Sequence, residues 1–344
     1  MRIAICEHLT MSYWGGGEKE MFDLAQGLRN LGHEVDIFAL PYTLENKRKM
    51  NLGSLFNDGI KYHEGPLHVI NADVVYSMYH PFSKLNFITR APTIASFHSQ
   101  IWFKRERGGY GYVPKIAGSL GDYLMRKELT GFAALQTHYD IQRRMIETIA
   151  PRHPPIYVIG HFLDTERFKP TGVKKDTFTV LFVGRPVWQK GFDLYSKLAV
   201  ELAPLGMRFQ FAGGVTEKSQ IESLGLISDE SRLAQLMSEA HVVVSPTRIE
   251  LASGKSVLEA LSCGTPVITT SRIDPPLTDC RCLVEVADYS MTKEAIIKIR
   301  QKWNDGTYDE FASCARRCVM KDLSKEPTIK RYERMLLEVA NRQY

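Results

Sequence analysis

Two glutamates with a Gly-Lys-Ser triplet between them form the first group of residues that could do chemistry. Eight residues separate Glu250 from Glu259, and the triplet consists of Gly254, Lys255 and Ser256. Carboxylates accept hydrogen bonds from sugar hydroxyls, whereas a lysine and the amides at the start of a helix attract phosphate oxygens. These residue types suit a ligand that carries both hydroxyl and phosphate groups.

A second group consists of Gly184, Arg185 and Lys190, which follow the apolar run FTVLFV. The guanidinium is a planar fork and the ammonium is a point charge, and both bind phosphate oxygens. Together with the glutamates, they predict a nucleotide-sugar site in which a diphosphate meets the basic residues. A structural interpretation stays open, since Glu259 could instead be a solvent-facing helical residue that pairs with Lys255.

The elements that would position these residues alternate between strand and helix. The segment 17–32 places four apolar residues at helical spacing, which predicts an amphipathic helix with these residues on its buried face: Met21, Leu24, Ala25 and Leu28. Strands are predicted at 2–6, 33–40, 72–78, 92–97, 133–138 and 156–160, and again at 178–184, 208–214, 241–246 and 266–270. Helices are predicted at 190–203, 230–240 and 257–263.

This alternation predicts an α/β fold of two Rossmann-like domains, each with a doubly wound parallel sheet. The polar segment 169–177 is typical of a linker, so we expect domains at 1–168 and 169–320. In open parallel sheets, ligands bind beyond the carboxyl ends of the strands. Both chemical groups follow such strand ends.

Composition narrows the classes of partner. The chain has 344 residues and a formal net charge of +5, an excess too mild to indicate nucleic acid as a partner. It contains no apolar run long enough to span a bilayer. The first residues read as a strand rather than as a signal peptide, so we expect a cytoplasmic protein.

Four of the six cysteines form two close pairs. Cys280 and Cys282 make a C-x-C motif, and Cys314 and Cys318 stand one helical turn apart. A zinc site and disulfides between the pairs are both open, but the spacing matches no common zinc module. We expect reduced, mostly buried thiols.

Four segments together resemble the retaining glycosyltransferases of family 4, which have the GT-B fold. In chain order they are MSYWGGGEKEMFDLAQGLRNLGHEVDIF, FLDTERFKP, VLFVGRPVWQKGFDL and VVVSPTRIELASGKSVLEALSCGTPVI. The resemblance therefore touches both expected domains. It implies that the N-terminal domain binds the acceptor, that the C-terminal domain binds the donor, and that the last segment, 321–344, crosses back to the first domain.

The resemblance also assigns roles to residues. Arg185 and Lys190 would bind the donor diphosphate, and Glu259 would accept bonds from the ribose hydroxyls. Glu250 and the amides of the following loop would hold the transferred sugar, with this loop and the helix start contributing Ser253, Gly254, Lys255 and Ser256.

In the first domain, the resemblance implies that a glycine loop lets the backbone approach the donor closely; this loop consists of Gly15, Gly16 and Gly17. The segment GGGEKE does not match the G-x-G-x-x-G pattern of a dinucleotide site. His98 would face the donor sugar and the acceptor, although a lone histidine is more often a structural residue.

The implied activity is that of a retaining hexosyltransferase, which moves a sugar from a nucleotide-diphosphate sugar to a hydroxyl of a glycan, lipid or other acceptor. Because the chain has no D-x-D motif, we expect no metal site and no cofactor. Basic side chains would stabilise the departing diphosphate instead. The alternatives are a nucleotide-sugar 2-epimerase of the same fold and a non-catalytic sugar-nucleotide binding protein.

The sequence departs from the family pattern at two places. One extra residue lies within 251–256, and His161-Phe162 stand where the family usually has Asn-Gly, directly before LDTERF. The basic and aromatic segment 101–127 is either a solvated loop and helix face or a peripheral contact with the inner face of a membrane.

Overall fold

The computed structural model describes residues 1–13, 16–41, 56, 59–80, 83–98, 123–248 and 254–342. They form two compact units, one made of residues up to 98, 123–162 and 326–342, the other of 163–325. The division falls after Phe162 rather than after 168, because Leu163 and Phe168 are buried in the core of the second unit. Leu323 belongs to the same core, so the chain returns to the first unit at 326 rather than at 321.

The first unit is built around seven parallel strands. Its elements are β1 (Arg2–Glu7), α1 (Gly16–Asn30), β2 (Glu34–Ala39), β3 (Lys61–Glu64), β4 (His68–Val69), β5 (Val74–Met78), β6 (Phe87–Ile88), β7 (Thr93–Phe97), α2 (123–129), β8 (Ala134–Thr137), α3 (Asp140–Ile149) and β9 (Ile156–Val158). The sheet order is β3-β2-β1-β5-β7-β8-β9, and β4 pairs with β6 separately. The order reverses between β1 and β5.

The second unit is built around six parallel strands. Its elements are β10 (Thr179–Val183), α4 (Phe192–Leu202), β11 (Arg208–Ala212), β12 (Ile221–Ser223), α5 (Glu230–Glu239), β13 (Val242–Ser245), α6 (Lys255–Ser262), β14 (Val267–Thr269), β15 (Leu283–Glu285), α7 (Tyr289–Asn304), α8 (Tyr308–Ala312) and α9 (Ala315–Met320). The sheet order is β12-β11-β10-β13-β14-β15, which reverses between β10 and β13. The prediction of doubly wound parallel sheets is confirmed.

The last helix, α10 (Lys325–Ala340), packs in the core of the first unit. It buries a stripe at helical spacing: Ile329, Tyr332, Met335, Leu336 and Val339. Gly27 on α1 makes room for it, since a Cβ at this position would lie 2.2 Å from Cδ1 of Ile329. The same face of α1 buries the predicted apolar residues, so α1 and α10 share one core.

The four paired cysteines form two disulfides, and the expectation of reduced thiols is wrong. Cys280 bonds Cys318 and Cys282 bonds Cys314, with Cα–Cα distances of 5.6 Å and 6.1 Å that suit a disulfide. In the described residues, no helix is long and apolar enough to cross a bilayer.

Candidate active site

The two predicted groups of the second unit lie on neighbouring strands at the point where the sheet order reverses. Gly184, Arg185 and Lys190 follow β10, and α6 follows β13, which pairs in parallel with β10. The carboxyl ends of parallel strands meet at one edge of the sheet, and a nucleotide binds at such a reversal in the Rossmann strand order. The topology therefore brings these residues to one edge.

Two glycines let the loops at this edge pack closely. Gly213, after β11, has φ +141°, and a Cβ there would lie 2.0 Å from the carbonyl oxygen of Gly184. Gly191, before α4, has φ +74°, and a Cβ there would lie 1.9 Å from the carbonyl oxygen of Pro246. Side chains at these positions would force the strand-end loops apart.

Arg248 ties the loop after β13 to the loop after β10, and the sequence reasoning missed it. Its guanidinium donates to both carboxylate oxygens of Asp193, at 2.6 Å and 2.7 Å, and to the carbonyl oxygen of Trp188 at 2.6 Å. It also lies over the Trp188 ring, 4.7 Å from the centroid. Hydrogen bonds from Arg248 hold the pKa of Asp193 below its usual value.

This tie acts on the turn that ends in Lys190. The backbone amide of Arg248 donates to the carbonyl oxygen of Gln189 at 2.9 Å. Within the turn, the amide of Lys190 donates to the carbonyl oxygen of Val187 at 3.0 Å. Lys190 is half-buried, whereas Arg185 is exposed to solvent. The loop after β10 thus presents one half-buried and one exposed cation, and both side chains can bind phosphate oxygens.

The start of α6 supplies the second part of this site. Gly254 is the N-cap, its carbonyl oxygen accepts the amide of Val257 at 3.0 Å, and Lys255 and Ser256 open the helix. Glu259 lies half-buried on α6. The first-turn amides of a helix have no partner within the helix and carry partial positive charge, which attracts anions.

Several predicted site residues lie outside the described residues: Gly15, Glu250 and Ser253. The structure begins α1 at Gly16, so Gly16 and Gly17 belong to the first turn of a helix rather than to a loop. A Cβ at Gly16 would meet no atom of the described residues within 4 Å, and one at Gly17 would lie 3.2 Å from Met78.

In the first unit, His98 is one of five histidines that follow five neighbouring strands. The strands β1, β5, β7, β8 and β9 are consecutive in the sheet, and within three residues of their ends stand His8, His80, His98, His138 and His161. The parallel topology gathers these histidines at one sheet edge. His98 therefore belongs to a cluster.

Glu20 from α1 joins three of these histidines. His161 Nδ1 lies 2.7 Å and 3.0 Å from its two carboxylate oxygens, and His138 Nδ1 lies 4.0 Å away. The rings of His138 and His161 stack at 3.7 Å, and the His98 ring meets the His138 ring edge-on at 4.3 Å. Burial acts to raise the pKa of Glu20, but the three histidines outweigh it and hold that pKa well below the usual value.

A second buried pair lies at the end of β1. Burial, followed by the charge of Glu18, raises the pKa of Glu7 well above its usual value. Burial and the neighbouring His80 lower the pKa of His8 to about 4. This end of the first sheet thus places buried carboxyl and imidazole groups close together.

Part of the segment proposed for membrane contact is described. Residues 101–122 lie outside the described residues, and 123–129 form α2. The outer face of α2 exposes an aromatic, an aliphatic and two basic side chains: Tyr123, Leu124, Arg126 and Lys127.

Residues 177–302 match the protein family described as Glycosyl transferases group 1. One subunit of human phosphatidylinositol N-acetylglucosaminyltransferase is 23% identical over 292 residues, which cover 74% of this chain and 59% of that protein. The gpi3 subunit of this transferase from Schizosaccharomyces pombe is 24% identical over 299 residues, which cover 74% of this chain and 63% of that protein. The chain spans less than two thirds of the length of these curated relatives.

Solved structures of similar fold cover nearly the whole chain. Sucrose-phosphate synthase from Thermosynechococcus elongatus has a TM-score of 0.76 at 15% identity, covering 98% of this chain and 99% of its own. HepE from Anabaena in complex with UDP-glucose has a TM-score of 0.75 at 13% identity, and the likeness covers 98% of this chain and 100% of HepE. WaaG, a glycosyltransferase of lipopolysaccharide biosynthesis, has a TM-score of 0.70 at 13% identity, covering 97% and 99%.

These likenesses establish the GT-B fold for the chain. The family match lies in the second unit and includes both loops at its sheet reversal. The second unit therefore contains the segment that matches this glycosyltransferase family, and the candidate donor-site residues of that unit lie inside the matched segment.

Proposed function

We propose that the protein is a retaining glycosyltransferase that moves a sugar from a nucleotide-diphosphate sugar to an acceptor hydroxyl. The observation that carries this proposal is the placement of Arg185, Lys190 and the start of α6 on adjacent strands at the sheet reversal of the glycosyltransferase domain. The family match and the two relatives named for sugar transfer favour transfer over epimerisation or binding alone.

In this proposal the second unit binds the donor. Arg185 and Lys190 contact the diphosphate together with the first-turn amides of α6, and Glu259 accepts bonds from the ribose. As the sugar–phosphate bond breaks, the leaving diphosphate gains negative charge, and fixed cations stabilise it without Mg²⁺ or Mn²⁺. Glu250 holds the transferred sugar.

The first unit would bind the acceptor. His98 lies at its polar sheet edge and would face the transferred sugar and the attacking hydroxyl. The acceptor oxygen would bond to the anomeric carbon on the face that the diphosphate leaves, so the anomeric configuration would be retained. Support for retention comes from the resemblance of the four segments to family 4.

For the donor we propose UDP-N-acetylglucosamine or another UDP-sugar. Two curated relatives are named as subunits of an N-acetylglucosaminyltransferase, and HepE was solved with UDP-glucose. For the acceptor we propose a lipid-linked hydroxyl reached at a membrane surface. The same relatives are named for phosphatidylinositol, and the exposed face of α2 combines Tyr123 and Leu124 with basic residues.

A donor panel followed by product analysis tests the proposal. UDP-, GDP- and ADP-sugars are screened by thermal shift, since a ligand that binds the native state raises its stability. The stabilising sugar is then incubated with lipid acceptors, and the anomeric configuration of the product is read by NMR. We expect a UDP-sugar to stabilise the protein and the product to keep the anomeric configuration of the donor. An inverted product, or release of a free 2-epimer, would contradict the proposal.

A further inference from the structure

We infer that Glu20, His98 and His138 form a binding site for a divalent transition metal of the zinc class in the first unit. One ligand atom from each residue can be chosen so that all three lie within 4.8 Å of one another. A carboxylate and two imidazoles are a donor set that zinc and its neighbours accept in proteins. Small side-chain rotations would bring the three atoms to bonding distance of one ion.

The environment of His138 supports this inference independently. This residue is 1% exposed, and among the described residues neither of its ring nitrogens has a hydrogen-bond partner within 3.5 Å. Buried polar groups almost always have a close partner, so a buried imidazole without one calls for an explanation, and a bound ion would supply it. An oxygen of the Glu20 carboxylate lies 4.0 Å from Nδ1 of His138, and Glu20 is itself 2% exposed, so this nitrogen faces a buried carboxylate.

The surrounding groups act as the supports that metal ligands usually have. His161 Nδ1 lies 2.7 Å from Glu20 and fixes the carboxylate. Tyr76 Oη lies 3.5 Å from His98 Nε2. Metal ligands are commonly oriented by such outer hydrogen bonds, and loss of one weakens metal binding by about 10- to 100-fold.

His161 itself stays outside the ligand set for a geometric reason. The lone pairs of an imidazole lie in the plane of its ring, and the rings of His138 and His161 stack at 3.7 Å with an interplanar angle of 20°. Two nearly parallel planes at this spacing cannot both contain one ion at bonding distance. Three protein ligands remain, which leaves a coordination position for water or another small ligand.

This site is separate from the diphosphate contacts, for which no metal is proposed, but it shares His98 with the proposed acceptor side. Its residues come from α1 and from the ends of β7 and β8, whereas the diphosphate contacts come from the second unit. The inference does not rest on the proposed transfer activity. The expectation of no metal came from the absence of a D-x-D motif, and residues as far apart as 20, 98 and 138 form no spacing motif at all.

Metal binding is tested on the full chain, stripped with a chelator and with its disulfides intact. ZnCl₂ is titrated by calorimetry, and CoCl₂ is titrated by visible spectroscopy. We expect one ion per chain and a cobalt spectrum with nitrogen and oxygen ligands, without a thiolate charge-transfer band. Glu20→Gln, His98→Gln and His138→Gln should each weaken zinc binding by at least about tenfold.

The matched control is His63→Gln. His63 is also a histidine beside a carboxylate, with Nε2 3.4 Å from Asp36, but it is only half-buried and lies outside the cluster. Its variant should bind zinc like the parent chain. Circular dichroism checks folding, and His98→Gln carries the test if a buried variant fails to fold. Equal zinc affinity in the parent and the cluster variants, no binding by the parent, or a thiolate band that survives all three substitutions would overturn the inference.

Discussion

Arg248 and Asp193 form a two-point ion pair that joins the loop after β13 to the first turn of α4. The two nitrogen–oxygen distances are 2.6 Å and 2.7 Å, and the same guanidinium donates to the carbonyl oxygen of Trp188. Asp193 is about half exposed, so the pair contributes little to global stability. Its effect is to hold together two loops that both reach the proposed diphosphate site.

Replacing Arg248 should therefore weaken donor binding more than it destabilises the fold. We expect Arg248→Ala to raise the Kd for UDP about fivefold, near 1 kcal/mol, and to change the free energy of unfolding by less than about 1 kcal/mol. Arg248→Lys should restore little of the lost UDP affinity, because an ammonium cannot make the two-point contact with a carboxylate. Calorimetric titration with UDP measures the Kd, and urea unfolding measures the free energy of unfolding. The control, Arg232→Ala, removes an exposed arginine from α5 and should leave UDP affinity unchanged.

Arg185→Ala should slow transfer. A lost charge-assisted contact to the leaving diphosphate should cost about 2–4 kcal/mol in the transition state, or roughly 30- to 1000-fold in kcat/KM. Steady-state kinetics with the donor found by thermal shift measure this. Adding Mg²⁺ or Mn²⁺ should not rescue the variant or stimulate the parent. Wild-type turnover by Arg185→Ala would remove this residue from the donor site.

Leu336→Ala should destabilise the first unit. Leu336 is 0% exposed and lies in the core shared by α10 and the first sheet, so truncation leaves a cavity that costs about 2–5 kcal/mol. Its neighbour gives a matched control: Leu337 is 38% exposed, and Leu337→Ala should change stability by less than about 0.5 kcal/mol. Urea unfolding of both variants measures the difference. Equal effects would mean that α10 does not pack as described.

The second unit should lose stability as the pH falls from about 6.5 to 4. Burial, followed by Lys174, lowers the pKa of His241 to about 4, while the unfolded chain takes up this proton near pH 6.5. Between these values the unfolded state binds more protons, so stability rises with pH by up to about 1.4 kcal/mol per pH unit. Its Nδ1 accepts the Thr179 amide at 2.9 Å, a bond that protonation breaks.

The variant His241→Gln tests this assignment. A glutamine can accept the same amide but does not titrate, so its stability should depend less on pH between 6.5 and 4. His153→Gln is the control, since His153 is half-buried and contacts its neighbouring Pro154. Urea midpoints at several pH values give the slopes. Parallel slopes for the parent and His241→Gln would contradict the assignment.

Much of the fold could be predicted from periodicity. The buried faces of α1 and α10 and the apolar strands β1, β10 and β13 follow from residue spacing alone, because burial selects apolar residues at a fixed period. The strands β12 and β15 have only three residues each and gave no signal. The disulfides depend on α9 meeting the start of β15, a contact that spacing along the chain does not reveal.

The candidate site divides in the same way. Arg185 and Lys190 could be found because they follow a strongly apolar strand. Arg248 carries the same signal, since it too is a charged residue just after a strand. The histidine cluster could not be assembled from sequence, since its members become neighbours only through the parallel topology. Glu20 is the one member with a sequence signal, because it is a charged residue on the otherwise apolar face of α1.

Titration of UDP into Lys190→Ala and Lys298→Ala tests the central claim most directly. Lys190 lies in the proposed diphosphate site, whereas Lys298 is an exposed lysine on α7 with a side chain 69% exposed. The proposal predicts that the parent chain and Lys298→Ala bind UDP alike, and that Lys190→Ala binds at least about tenfold more weakly, a loss of about 1.4 kcal/mol. Equal affinity in all three proteins, or no UDP binding by the parent chain, would contradict a donor site at this sheet edge.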